Sequence, residues 1–355
     1  MDHSEASKRL LLLDCLESIK TVQKLMSYGA LILEFSPYIS IIVSGVFDFL
    51  DENQKVRWQA EGIRKIERVR AETKIINKSS VSKTVGSVSE SISLFDDYLT
   101  KDYNSLQNMF ISIFGQDNFG CYKFGNVYVS NTFRANTLVN ELTQELGNGK
   151  EIKNFGEMMS QIICTYLIEH HVSFPTNIPA IELNVKNVKN EDYRFSLENR
   201  MPLFGNDIDV DINIILFNIL CGVNYALVIL PQVLSKETNL YKRIVSICCY
   251  SSVQALGKLL RTDEQSSRYY GAVEKRGEIS TIIDLINKLY TSSLRNNIFH
   301  YGIRETDLKI IREEISFLYG SVEENIGISV SEFIQNQEDI LVRIQKLLTD
   351  WLRIR

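Results

Sequence analysis

Arg295, Asn296 and His300 are the residues of this chain whose types and spacing best fit chemistry. They stand in the run Leu294-Arg295-Asn296-Asn297-Ile298-Phe299-His300-Tyr301-Gly302, and His300 is one of only four histidines. Histidine is the side chain whose ordinary pKa puts proton transfer within reach of neutral pH. On a helix, Asn296 and His300 share a face, so the asparagine amide can hold the imidazole in one tautomer. Arg295 and His300 are separated by a rise of about 7.5 Å. An arginine side chain closes much of that gap if the helix ends near Gly302. Ile298 points to another face, where it can anchor the segment in a core. A plainer reading stands beside this one. Arg295 then pairs with an acid, and His300 complements the negative end of a helix dipole.

Other chemistries are missing from the sequence. It contains no G-x-x-x-x-G-K-[ST], G-x-G-x-x-G, G-x-S-x-G or H-E-x-x-H. Asp207, Asp209, Asp211 and Asn213 begin like a calcium loop. Ile212 then stands where glycine is needed and Asn218 where glutamate is needed. The Asp-x-Asp pair also lacks the upstream Gly-Ser helix cap of a nucleotidyltransferase. Glu169, His170 and His171 are metal-ligand types, but adjacent histidines on a helix point about 100° apart and need distant partners. No metal and no cofactor are expected.

The elements that must position the motif read as mainly α. The chain has 355 residues, 45% hydrophobic and 23% charged, the balance of a folded globular protein. Five prolines and 18 glycines exclude a collagen-like or loop-dominated chain, and a net charge of −5 excludes a polycationic nucleic-acid coat. Six scattered cysteines without a C-x-x-C pair read as reduced thiols, and the N-terminus does not read as a secretory signal, so a cytoplasmic protein is expected. Residues 1–200 form a mostly helical N-terminal region with small β-hairpin elements, at 115–135 and in a strand-like zone at 178–195. Residues 205–355 form an all-α helical domain. Its third helix, 278–300, carries the motif near its end. The serine-rich stretch 77–93 reads as a connector, and Pro37 breaks or kinks the apolar run 30–50. Ile212–Leu234 is long enough to cross a bilayer. However, it holds Asn213, Asn218, Asn224, Pro231 and Gln232. A helix buried on all sides is the expected alternative, with no membrane partner. In the basic stretch 55–76, Arg57, Arg64 and Arg68 fall close to one helix face, a possible substrate track. The same face is equally explained by solvated pairs such as Arg57–Glu61 and Arg68–Glu72.

Arg295-Asn296-x-x-x-His300 resembles the signature of the HEPN superfamily, compact all-α domains with an arginine, a polar residue and a histidine a few positions on. The resemblance covers residues 205–355 by architecture and only these few residues by motif. It implies a metal-independent endoribonuclease acting in a toxin or antiviral-defence role. RNA supplies its own nucleophile, the 2′-hydroxyl, so the protein must add a proton-transfer group and positive charge. His300 is then the general acid or base, and Arg295 binds the phosphate oxygens. Asn296 orients either, and Tyr301 stacks on a base or donates a hydrogen bond. Arg57, Arg64 and Arg68 extend the RNA track. One motif hardly serves both sides of an in-line transfer, so the resemblance also implies a homodimer. The N-terminal region becomes a sensor, a regulator or a contact surface for an antitoxin. The alternatives are a non-catalytic HEPN-like interaction or dimerisation module and a membrane-associated effector built on 29–50 and 212–234.

Overall fold

A computed structural model describes residues 2–50, 55, 60–74, 81–100, 104–114, 117–134, 149–174, 178–181, 183, 188–194, 204, 208–265, 270–304, 311 and 317–354. Among them the chain is mainly α, as its sequence predicts, with 13 helices and one small three-stranded sheet.

Helix α1 (His3–Lys24) starts where the Asp2 carboxylate accepts the Glu5 N–H at 2.7 Å. Helix α2 (Gly29–Phe49) continues past Pro37 rather than breaking there. Proline offers no N–H to the preceding turn, and the Leu33 carbonyl of that turn accepts from Ser36 Oγ at 2.7 Å. Helix α3 (Ala60–Ala71) arises from the basic stretch and packs on α2. Helix α4 (Val81–Thr100) corrects the expectation of a connector over residues 81–93; residues 77–80 fall outside the described residues. Val81, Val85 and Val88 recur at helical spacing and are buried, while Ser82 and Ser87 face solvent. The apolar stripe outweighs the weak helix preference of serine. Helix α5 (Ser105–Phe114) follows.

The expected hairpin is formed by β1 (Asp117–Phe124) and β2 (Val127–Asn131), turning through Gly125 at φ 60°. Strand β3 (Val188–Arg194) pairs antiparallel on the other side of β1, giving the order β2-β1-β3. It is the only strand described in the zone 178–195; Ile181 and Leu183 lie outside it. Helix α6 (Gly149–Glu169) lies between the hairpin and β3.

Helix α7 (Val210–Asn224) runs through a π turn, Tyr225–Ile229, into α8 (Leu230–Val233). It carries the long apolar stretch Ile212–Leu234. It and α2 are both long and apolar enough to cross a membrane, and most of each is buried inside the fold. The asparagines of α7 have protein partners. Asn213 donates to the Phe204 carbonyl, and Asn218 accepts from Asn131 at 2.9 Å. Asn224 donates to the Tyr128 carbonyl at 2.7 Å and accepts from Gln345 at 2.6 Å. They latch the helix to the sheet and to the C-terminal bundle.

The bundle comprises α9 (Asn239–Gln265), α10 (Arg276–Leu289), α11 (Ser292–Phe299), α12 (Ser321–Ile326) and α13 (Val330–Trp351). The single helix expected over 278–300 is two. Tyr290 is extended, its hydroxyl donating to the Ser246 carbonyl at 2.9 Å, and Thr291 opens α11 as a new N-cap. One apolar cluster runs from Ala6 to Leu352, with α1 against α9 and β2 against α7. Regions 1–200 and 205–355 therefore share a core.

Candidate functional site: a cationic cleft at His300

Helix α11 has only eight residues, so its placement depends on its ends. Thr291 Oγ1 accepts the Leu294 N–H at 3.1 Å, and Leu294, Asn297, Ile298 and Phe299 bury the inner face. The last carbonyls of a helix lack internal partners. Here the buried Arg243 guanidinium serves two of them. Its Nη1 donates to the Asn297 and Ile298 carbonyls at 3.0 and 2.6 Å, while its Nε donates to Asp14 Oδ2 at 2.9 Å. Tyr301 completes the clamp. Its hydroxyl donates to Asp14 Oδ2 at 2.8 Å, and its ring lies 4.1 Å from the guanidinium carbon. Burial pushes the Asp14 carboxyl up, opposed by Arg243 and by the Tyr301 hydroxyl. Helices α1, α9 and α11 thus meet at one buried ion pair. Tyr301 is 1% exposed. This corrects its assignment to substrate, because a ring sealed in the core cannot stack on a base.

His300 is the C-cap of α11, with extended backbone at φ −138° and ψ 158°, and its N–H donates to the Asn296 carbonyl at 2.9 Å. The imidazole has therefore left the helical face it would have shared with the Asn296 side chain. Its partner lies across the chain. Arg70 Nη2 stands 3.0 Å from His300 Nδ1, and Arg70 Nη1 donates to Ser44 Oγ at 2.8 Å. Arginine can only donate, so Nδ1 accepts and the ring proton is on Nε2. The Asn296 side chain instead accepts from Arg295 Nη1 at 3.1 Å. The Arg295 guanidinium lies 5.2 Å from the Phe299 ring centre, and its buried Nε has no hydrogen-bond partner.

These groups line a cleft of about 320 Å³ formed by Glu67, Arg70, Ala71, Thr73, Lys74, Arg295, Phe299 and His300. His300 is exposed at the mouth of the cleft, and partial desolvation of its ring, then the charges of Arg70, Arg295, Lys74 and Arg243, hold the imidazole down at about 4. At neutral pH it is an uncharged ring among cations. Three cations and one carboxylate around a neutral imidazole leave the cleft lining with a surplus of positive charge.

Sequence reasoning put the basic track on Arg57, Arg64 and Arg68. Arg57 lies outside the described residues, and Arg64 and Arg68 point to solvent without lining the cleft. The same basic stretch does reach the motif, through Arg70 and Lys74. The usable signal was the buried stripe Ile66, Val69 and Thr73. Cations flanking that stripe can touch a neighbouring element, whereas those opposite it cannot. Among the described residues no three of His, Cys, Asp and Glu converge as metal ligands, and His170 packs edge-on against Tyr166, 4.6 Å between ring centres.

No family model, no curated protein and no solved structure matches this chain.

Proposed function

We propose that the cleft binds a phosphate of RNA and cleaves the chain there, as the HEPN resemblance implies. The observation that supports this reading most is the meeting of Arg295 and His300 with Arg70 and Lys74, cations from a distant part of the sequence, in one anion-binding cleft. A phosphodiester entering it takes hydrogen bonds from Arg295 and competes with His300 for Arg70. Its negative charge also raises the depressed imidazole pKa, since an opposite charge favours the protonated form. The freed Nδ1 accepts the proton of the 2′-hydroxyl while the 2′-oxygen attacks phosphorus. The bond to the 5′-oxygen breaks, and that oxygen takes a proton from an acid. Products are a 2′,3′-cyclic phosphate and a 5′-hydroxyl.

Glu67 and Lys74 are the other proton-transferring groups of the lining. A homodimer with two motifs facing one cleft would supply the second group from the partner copy instead. Glu67→Gln and Lys74→Met separate these sources. Cleavage retained in both places the acid on the partner, and loss in one of them places it on that residue.

The test is expression from a tightly controlled promoter and incubation of purified protein with total RNA in EDTA, followed by end mapping. Wild type is expected to arrest growth and leave cyclic phosphate ends. Arg295→Ala and His300→Ala are expected to fold and do neither. A second reading is favoured by the Arg70–His300 bond itself, which already gives the imidazole a structural partner. In that reading the module is a non-catalytic interaction domain, and both variants change stability with no cleavage to lose.

A further inference from the structure

A second, smaller cavity lies behind the cleft, with Thr73 and Lys74 as walls common to both. Its volume is about 140 Å³. An engineered apolar cavity of about 150 Å³ holds one benzene, so the space suits a single ring. Its lining is not apolar. Tyr225 is 1% and Ser251 5% exposed, both line the cavity, and both hydroxyl oxygens are buried without a hydrogen-bond partner. Buried hydroxyls nearly always have partners, so two orphans at one cavity point to an occupant. Tyr225 also opens the π turn of the α7–α8 helix, a rare local widening that recurs at functional sites. Tyr38 and Phe133 supply aromatic surface. Arg134 stands between two carboxylates of the lining, Glu34 at 3.6 Å and Glu72 at 3.2 Å, so the wall there offers acceptors beside a donor.

We propose that this cavity is a binding site for a planar heterocycle bearing both hydrogen-bond donors and acceptors, the chemistry of a free nucleobase. The ring lies among Tyr38, Phe133 and Tyr225, and its edge engages Tyr225 Oη and Ser251 Oγ. The site is separate from the anion cleft and stands whether or not that cleft cleaves RNA.

The test titrates the full-length protein with uracil, cytosine, adenine and guanine by calorimetry, with benzene as the apolar control. Binding of at least one base is expected. Tyr225→Phe should weaken it roughly tenfold, the loss of one buried hydrogen bond. Ser251→Leu, which fills the cavity, should abolish it. Arg295→Ala should bind as wild type does, which excludes a base sitting in the cleft. Because Ser251→Leu can disturb packing, melting temperatures accompany each titration, and Tyr225→Phe, which keeps the ring, decides if the leucine variant fails to fold. The proposal is overturned if no base binds, if Tyr225→Phe binds unchanged, or if benzene binds as tightly as the bases. Ordered water alone in the cavity of a crystal soaked with the bases overturns it equally.

Discussion

His300 has an ordinary sequence context and an unusual environment. Its pKa of about 4 is set by partial desolvation in the cleft and by Arg70, Arg295, Lys74 and Arg243. If the neutral ring is the base, the acid limb of kcat/KM belongs to the free protein and falls near pH 4 rather than near the ordinary histidine value. A pH–rate profile checks this. The stability consequence has a definite sign. Between about 6.5 and 4 the unfolded chain binds a proton that the folded chain refuses, so His300 costs stability as pH falls through that window and has no effect above it. His300→Gln is therefore expected to flatten part of the acid loss of stability, measured by urea unfolding at a series of pH values. Arg70→Ala removes the leading charge, and the His300 imidazole should titrate closer to its ordinary value by NMR. The sequence made Arg295 and His300 legible as a pair. It did not reveal the Arg70 bond, because spacing arguments assume that the histidine stays on the helix, and here it is the residue at which the helix stops.

At the scale of elements, the motif is held by a clamp whose parts come from three places in the chain. Asp14, Arg243 and Tyr301 tie α1 and α9 to the end of α11, and Gly45 of α2 lies against the Tyr301 ring. A Cβ at Gly45 would stand 2.4 Å from Tyr301 Cδ2. Gly45→Ala should cost about 1–3 kcal/mol by overpacking. Arg243→Ala should cost about 3–5 kcal/mol, because it leaves the buried Asp14 unpaired. Both are read by chemical denaturation. Neither interaction could be seen in one sequence, since nothing local links residue 14 to residue 243. Helix α3 was legible as a basic helix, and so was its inward stripe of Ile66, Val69 and Thr73; that Arg70 beside the stripe reaches His300 was not, because the two stand 230 residues apart. Helix α4 was misread for a different reason. Serine content speaks for a loop, while three valines at the right spacing speak for a buried face, and burial carries the larger free energy.

At the scale of the molecule, the apolar cluster crosses the boundary that composition suggested near residue 200. The all-α character was readable from helical periodicity along the chain, and the hairpin from its alternating aromatic and β-branched residues. The shared core was not, because contacts such as Asn224 with Tyr128 and Lys24 with the Val233 carbonyl join segments far apart in sequence. Residues 205–355 expressed alone would leave Arg243 without Asp14 and α7 without the sheet. This fragment is expected to show helical far-UV signal without a cooperative thermal transition, as measured by circular dichroism. The full chain should unfold as one unit.

The most direct test of the cleft is cleavage of a short single-stranded oligoribonucleotide in EDTA by wild type, His300→Ala and Arg70→Ala, beside the same oligonucleotide with 2′-deoxy sugars. The expected result is cleavage by wild type only of the ribose substrate, with cyclic phosphate ends, loss in His300→Ala, and a changed pH profile in Arg70→Ala. Equal cleavage by wild type and His300→Ala, or cutting of the 2′-deoxy strand, would contradict it.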